Sequence, residues 1–293
     1  MKRFLCSVFV LVAVFAALAA ALPAPAAEEE PAAGGSAVVV EKERGVLNWT
    51  QNYIESSGVG VVPKGSSGAQ AKALARRGAI VDLQRNLLEF MRGVQIDGRT
   101  TLDNFMADDL VRSEVSGMIK NVELLDGEWD GESYTMHGRI KLPQIRVMVA
   151  SAPAIKQEVY GAGPDITINI DNAEPEPTEA PKKAKYTGLI IDARHLQLVP
   201  SMTFNVYDGR GKPVYGMNFV KQENYLQSGL CAYYNNINYA KGEAYVASNP
   251  IVAKAVRLAS GNVDIVISNA DAGRVRASSY DFRRECKVIV VCR

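Results

Sequence analysis

The chain has 293 residues, with 33 basic and 32 acidic side chains and a formal net charge of +1. This balance argues against a nucleic-acid partner, which rewards clustered Lys and Arg. No run of consecutive basic residues is long enough to suggest a patch for acidic lipid.

The N-terminus reads as an export signal. Lys2 and Arg3 precede an uncharged apolar run from Phe4 to Leu22, followed by Ala24-Pro25-Ala26. A positive start, an apolar middle and small residues at a cleavage site are the three parts of a secretory signal. Residues 1–26 are therefore expected to be a signal peptide, cut near Ala26, which places the mature protein in the periplasm. The rival reading is an uncleaved anchor, since the run is about long enough to cross a bilayer. Removal of residues 1–26 leaves 31 basic and 32 acidic side chains. Roughly 267 residues then remain, enough for two domains.

Two low-complexity stretches divide the remainder. Residues 27–45 are rich in Glu, Pro, Ala and Gly and predict a disordered entry. Residues 171–185 combine three prolines with many charges and predict a semi-extended linker. The expected domains are thus 46–170 and 186–293.

In the first domain, 46–54 is a strand candidate and 58–63 a turn-rich extended entry. Ser67, three residues before Gln70, has capping-box spacing and opens a helix from about Gly68 to Val94. Its stripe is Ala75, Ala79, Leu83, Leu87 and Met91. Gly78 costs about 1 kcal/mol in a helix relative to Ala, which suggests close packing against a strand. A second helix is expected over 108–121. Strands over 122–129 and 133–148 flank an Asp130-Gly131 hairpin turn.

In the second domain, 186–193, 201–207, 213–220, 251–258 and 263–268 are strand candidates. A short helix follows Ser268, and 282–292 reads as a closing buried strand. Residues 224–247 fit no period. The fold class expected is α+β, with two small α/β domains. The first is a long helix packed on a short antiparallel sheet, and the second is β-rich.

Candidate chemistry is sparse. Gly58-Val59-Gly60 and Lys64-Gly65-Ser66-Ser67 precede a helix, but a phosphate loop needs Gly-Lys-Ser/Thr opening the helix, and here Lys precedes Gly. His137 and His195 lack ligand-spaced partners. Gly65-Ser66-Ser67-Gly68 lacks the Gly-x-Ser-x-Gly nucleophile pattern. Asp108-Asp109 falls at a helix start, where acids suit the dipole. Asp126, Glu128, Asp130 and Glu132 surround a hairpin turn. No catalytic, cofactor or metal site is assigned.

The mature cysteines are Cys231, Cys286 and Cys292. Residues 286–292 read as one strand, which would hold its two cysteines roughly 20 Å apart, beyond disulfide reach. Cys231 could bridge one of them, with Cys286 preferred; three reduced, buried thiols is the alternative. The segment Tyr233, Tyr234, Asn235, Asn236 and Tyr239 is the most unusual. Such side chains offer contact area at low entropy cost, so it is the candidate interaction surface. The competing reading is an ordered loop packed on its own domain.

One resemblance stands out. Trp49-Thr50-x-x-Tyr53-Ile54-Glu55, Gly58-x-Gly60, Ala73-x-Ala75-Arg76-Arg77-Gly78-Ala79-x-x-Asp82 and Leu87-Leu88-Glu89 resemble the Lpp-twenty-type envelope lipoproteins. They also resemble the N-terminal domain of flagellar assembly protein T (FlgT). The likeness covers about 46–150. Thr187 to Arg194 and Ile267 to Asp271 look like the tail of uncharacterised envelope proteins of the same plan. The resemblance implies a compact envelope domain that binds other proteins without catalysis. The chain lacks the lipid-attachment cysteine of such lipoproteins.

The function expected is therefore that of a non-catalytic periplasmic envelope protein acting in protein–protein interaction or assembly, with a flagellar basal-body role as its sharper form. Its partners would be envelope or flagellar proteins, without nucleic acid, cofactor or a membrane span after cleavage. The alternatives are an envelope hydrolase acting on cell-wall glycan and a peptidoglycan or small-ligand binding module.

Overall fold

The computed structural model describes residues 36–153, 155 and 183–293. The expected signal peptide, residues 27–35 of the entry and most of the linker lie outside the described residues. Two sheets organise the rest, in an α+β fold.

The first sheet has the order β1-β2-β3-β5-β4 and is antiparallel throughout. Its strands are β1 Val39–Lys42, β2 Gly45–Asn48, β3 Tyr53–Val61, β4 Glu123–Trp129 and β5 Ser133–Lys141. Residues 36–45, expected to be disordered, thus supply β1 and the start of β2. The alternation around Val38 and Val40, with Val38 buried, is enough to build an edge strand despite the polar composition.

The 25-residue α1, Gly68–Arg92, lies across this sheet with Ala75, Ala79, Leu83, Leu87 and Met91 buried. Gly58 and Gly60 are strand residues rather than a turn. A Cβ on Gly58 would stand 2.0 Å from Leu83 N, and one on Gly60 2.0 Å from Ala75 O. Only glycine lets α1 come this close to β3. Gly78 is the helix's side of the same contact, with Gly60 Cα 3.4 Å from where its Cβ would be. Ser67 occupies the N-cap of α1, but its hydroxyl makes no cap bond, so the expected capping box is not formed.

α2 spans Asp109–Lys120 and buries Val111, Val115 and Ile119, with Asp108 accepting from Leu110 N and Val111 N. The hairpin at Asp130 is formed as expected, its carboxylate accepting from Glu132 N and Ser133 N. The strand predicted to run to residue 148 ends at Lys141. Leu142–Ser151 forms α3 instead, with Pro143 in its first turn. Proline is favoured at a helix start and cannot sit in a central strand.

The second sheet has the order β8-β7-β11-β10-β6-β12-β9. Its strands are β6 Gly188–Asp192, β7 Val206–Tyr207, β8 Pro213–Tyr215, β9 Ala232–Tyr234, β10 Pro250–Ala259, β11 Asp264–Ile267 and β12 Val288–Val291. β6 pairs in parallel with β10 and β12, and β12 with β9. Parallel strands covered on both faces read as unbroken apolar runs, as in Leu189-Ile190-Ile191 and Val288-Ile289-Val290-Val291.

The aperiodic stretch 224–247 contains α4 Gln222–Ser228, β9 and α5 Ile237–Gly242. These elements are too short to show a period. α6, Asn269–Ala277, is capped by Ser268 accepting from Asp271 N. Cys286 lies outside β12, in a left-handed conformation after a 3₁₀ turn. The closing strand is therefore shorter than the sequence suggests.

Buried side chains from both sheets run together in one apolar cluster, from Ile54, Leu87 and Ile145 to Leu189, Phe204 and Val290. A small second cluster, Ile190, Ala240, Val246, Ile289 and Val291, lies under α5 on the other face of the second sheet.

Candidate functional site: the seam between the sheets

Most of the chemically conspicuous side chains meet where the two sheets join. The entry segment crosses the junction first. Ala37 bridges to Tyr234 at the free side of β9. Asn235 N donates to Ser36 O at 3.1 Å, and Asn235 Nδ2 to Ala37 O at 3.0 Å. One residue on, Val38 belongs to the first sheet's neighbourhood, where Trp49 N donates to Val38 O at 3.0 Å. The Thr50 hydroxyl accepts from Val38 N at 2.8 Å and donates to Tyr233 O at 2.6 Å.

The candidate interaction surface is thereby divided. Tyr233 is 5% exposed, edge-on to Trp49 with ring centroids 5.5 Å apart. Its hydroxyl donates to Ser201 O and accepts from Ser201 N, both at 3.2 Å. It is a seam residue, not a surface residue, and burial pushes its phenol pKa well up. Tyr234 is half-buried, with its ring 5.1 Å from that of Tyr239. Asn235 clasps the entry segment, and Asn236 caps α5 by accepting from Asn238 N and Tyr239 N. Tyr239, with Asn235 and Asn236, remains exposed.

Arg146 is the residue the sequence reading missed. It projects from α3 and is 3% exposed, yet among the described residues no carboxylate pairs with it. Its Nη1 donates to Gln227 O at 2.8 Å and Leu226 O at 3.5 Å, and its Nη2 to Asn52 Oδ1. Leu226 and Gln227 are in the last turn of α4, whose carbonyls carry the negative end of the helix dipole. The helix end thus takes the place of a counter-ion. Burial lowers the Arg146 pKa, while Tyr225 and Cys231 oppose that shift. Asn52 supports the contact from the β2–β3 turn, where its φ of 61° is one that Asn tolerates better than most residues. The available signal was a lone Arg among Leu142, Ile145, Met148 and Val149. The space left among Asn52, Arg146, Gly229 and Tyr233 is about 10 Å³, barely room for one water.

Beside this lie the cysteines. Cys231, Cys286 and Cys292 are all free and buried, so the Cys231–Cys286 bridge is not formed. Burial raises the Cys231 thiol pKa well above its ordinary value, that of Cys286 to about 11 and that of Cys292 to about 12. Thiols held in the neutral form are poor nucleophiles.

A third contact closes the seam. Thr203 donates through N and Oγ1 to Ile96 O, both at 2.8 Å, and Met202 N donates to Gln95 O at 3.0 Å. The turn Ser260-Gly261-Asn262, with φ of 44°, 65° and 65°, presses on Gly98. Behind it, buried Asp264 accepts from Asn205 N at 2.7 Å. Burial raises the Asp264 pKa, opposed by the Asn205 amide and the Ser260 hydroxyl.

The carboxylates weighed for acid catalysis are placed differently. Asp108 caps α2. Asp130 is pulled down to about 2 by the Ser133 and Glu132 amides, the wrong direction for a general acid. Asp126, Glu128 and Glu132 are exposed on the hairpin. An open groove of about 290 Å³ on the first sheet is lined by Glu43, Arg44, Glu55, Asp82 and His137, among others. Two of its acids, Glu55 and Asp82, are engaged. Glu55 meets Arg139 at 2.9 Å, and Asp82 meets Arg85 at 2.6 Å while accepting from Val59 N. Asp82, with Asn86 donating to Ser57 O at 2.9 Å, covers the part of β3 that β2 leaves unpaired. His195 is exposed in the turn after β6. Among the described residues, no three His, Cys, Asp or Glu side chains converge as metal ligands.

A family model described as Treponema pallidum Tp0624, second domain, matches residues 188–293. This is the stretch from β6 to the C-terminus. No curated protein matches the chain.

Proposed function

We propose that the chain is a non-catalytic protein of the cell envelope, exported to the periplasm, that works by binding and assembling with other proteins. The observation that carries this reading is the use made of the reactive side chains at the seam. Arg146, Tyr233 and Thr203 fasten one sheet to the other, and the thiols are buried in their neutral form. This internal use of polar groups suits a rigid scaffold presenting its outer surfaces. The export signal in the sequence and the likeness of 46–150 to envelope lipoproteins and flagellar assembly protein T support the compartment and the class. A flagellar basal-body role is the sharper form of the same reading. Among the described residues, no helix is long and apolar enough to cross a membrane.

The test is fractionation of cells producing the protein, with mass determination of its N-terminus, followed by crosslinked recovery of partners from the envelope fraction. The expected result is a chain beginning near residue 27, recovered with a reproducible set of envelope proteins. A cytosolic chain that keeps Met1 would overturn the compartment. Hydrolysis of cell-wall glycan by the pure protein, with no partner recovered, would overturn the class.

A further inference from the structure

The contact between the loop 95–101, which follows α1, and the turn 260–262 differs from the other fastenings of the seam. It sets backbone against backbone. A Cβ on Gly98 would stand 2.2 Å from Ser260 O, and one on Gly261 would stand 2.2 Å from Gly98 O. The turn itself is strained, since Ser260, Gly261 and Asn262 all hold positive φ, a conformation that costs residues other than glycine. Such strain persists only where the surroundings hold it. Two groups do so here. Asn262 O accepts from Val199 N at 2.9 Å. The Asp264 carboxylate accepts from Asn205 N at 2.7 Å and from the Ser260 hydroxyl. Asp264 is buried. The charged and titratable groups facing it are Asp97 and Arg99 from the loop and Tyr207 from β7. Asp97 is tied into its loop, its carboxylate accepting from Arg99 N at 2.8 Å and from Thr100 N and Oγ1, both at 2.9 Å.

We propose that Asp264 is a pH-sensitive latch at this end of the seam: in its neutral form it holds the turn against the loop, and on ionising it lets the two part. The neutral carboxyl accepts from Asn205 N through one oxygen and donates through the other to the Ser260 hydroxyl, so both partners stay satisfied. Ionisation sets a second negative charge near Asp97 in a buried place, where solvent screens like charges little. Because Asp97 is bonded to its own loop, the repulsion acts on the loop as a unit. The backbone contact at Gly98 yields first, since its turn is strained and no side chains interlock there. Burial raises the Asp264 pKa and Asp97 adds to the rise, while the Asn205 amide, the Ser260 hydroxyl and Arg99 oppose it. A raised carboxyl favours the closed form at acid pH and loses it as pH rises through the folded value. The bonds of Thr50 to Tyr233 and of Arg146 to Gln227 are made to carbonyls, so the opening is confined to one end of the seam.

The test is amide hydrogen exchange of the purified protein, resolved by NMR in buffers from acid to mildly alkaline pH, with each rate divided by the intrinsic rate at that pH. Met202 N and Thr203 N donate across the seam to Gln95 O and Ile96 O and report this end. Trp49 N and Asn235 N donate to Val38 O and Ser36 O and report the other. Protection at Met202 and Thr203 should fall about fivefold or more as pH rises above the ordinary carboxylate value near 4, with Trp49 and Asn235 unchanged. Asp264→Asn keeps an acceptor for Asn205 N but cannot ionise, and should hold the protection constant. Asp97→Asn keeps an acceptor for its loop amides but removes the like charge, and should reduce the fall. Protection in wild type that ignores pH, or a fall of the same size in either variant, would overturn the proposal. So would an equal fall at Trp49 and Asn235, which would mean a general loss of stability in place of a local opening. The proposal goes beyond the assembly reading, and no outcome of this experiment bears on compartment or partners.

Discussion

Replacing Arg146 by methionine isolates what the buried guanidinium contributes. Methionine is apolar and comparably long, so it fills most of the space while removing all the donors. The carbonyls of Leu226 and Gln227 and the amide oxygen of Asn52 then lose their partner in a place with room for about one water. Hydrogen bonds to charged groups contribute about 1.5–3 kcal/mol each, and an unpaired buried acceptor costs about 1–3 kcal/mol. The contact at 3.5 Å is weak, so two bonds dominate. Methionine recovers part of this by sparing the desolvation of a cation. The expected net loss is about 2–4 kcal/mol, against a typical total stability of about 5–15 kcal/mol. Lysine keeps the charge but lacks the planar fork and should lose about 1–2 kcal/mol by the same reasoning. Equilibrium urea unfolding of wild type, Arg146→Met and Arg146→Lys checks both values, with a constant slope showing that stability alone has changed. A loss under about 1 kcal/mol for methionine would mean that a helix end is no real substitute for a counter-ion here.

Other outcomes follow from the same structure. Gly58→Ala and Gly60→Ala should each destabilise by about 1–3 kcal/mol or more, because the added carbon overlaps α1 backbone. Gly117→Ala on α2, with nothing within 4 Å of the new atom, should stabilise by about 0.5–1 kcal/mol; chemical denaturation compares the three. Ser268→Ala should cost about 1 kcal/mol and Ser67→Ala close to nothing, since only the former caps its helix. The Cys292 thiol, with its pKa raised to about 12 in the folded protein, stays protonated there while the unfolded chain ionises near 8.5–9. Its contribution is therefore present below about pH 8.5 and is lost as pH rises toward 12. Alkaline unfolding should be steeper for wild type than for Cys292→Ala. Asp264, raised by burial, gives stability that is present below its unfolded value and lost as pH rises through its folded one. Asp264→Asn should thus gain on wild type in thermal melts as pH rises above the ordinary carboxylate value near 4.

The sequence made long, periodic elements legible and short ones not. α1 has seven turns of repeating apolar positions, so its stripe was readable from Ala75 to Met91, and Gly78 marked its contact with β3. α2, the Asp130 turn and the Ser268 cap were readable for the same local reasons. The strand–helix change at Leu142 is hidden because Leu, Ile, Met and Val suit either period, and only Pro143 in the first turn marks it. Residues 224–247 were opaque because α4, β9 and α5 have seven, three and six residues, fewer than a period needs. Tyr233 looked like surface chemistry because composition does not say which tyrosine in a run faces inward. Arg146, Thr50 and Asn52 were invisible as a group, since their contacts reach 80 residues or more along the chain and depend on how the two sheets meet.

The three residues from Ser36 to Val38 set a limit on trimming. They close the outer side of β9 and then lead directly into β1. A protease that cuts at Ser36 or beyond reaches these contacts directly. Past that point each bond cut uncovers Tyr234 and releases Trp49 from Val38. Ser36 is therefore the point past which shortening the chain and loosening its fold become the same event.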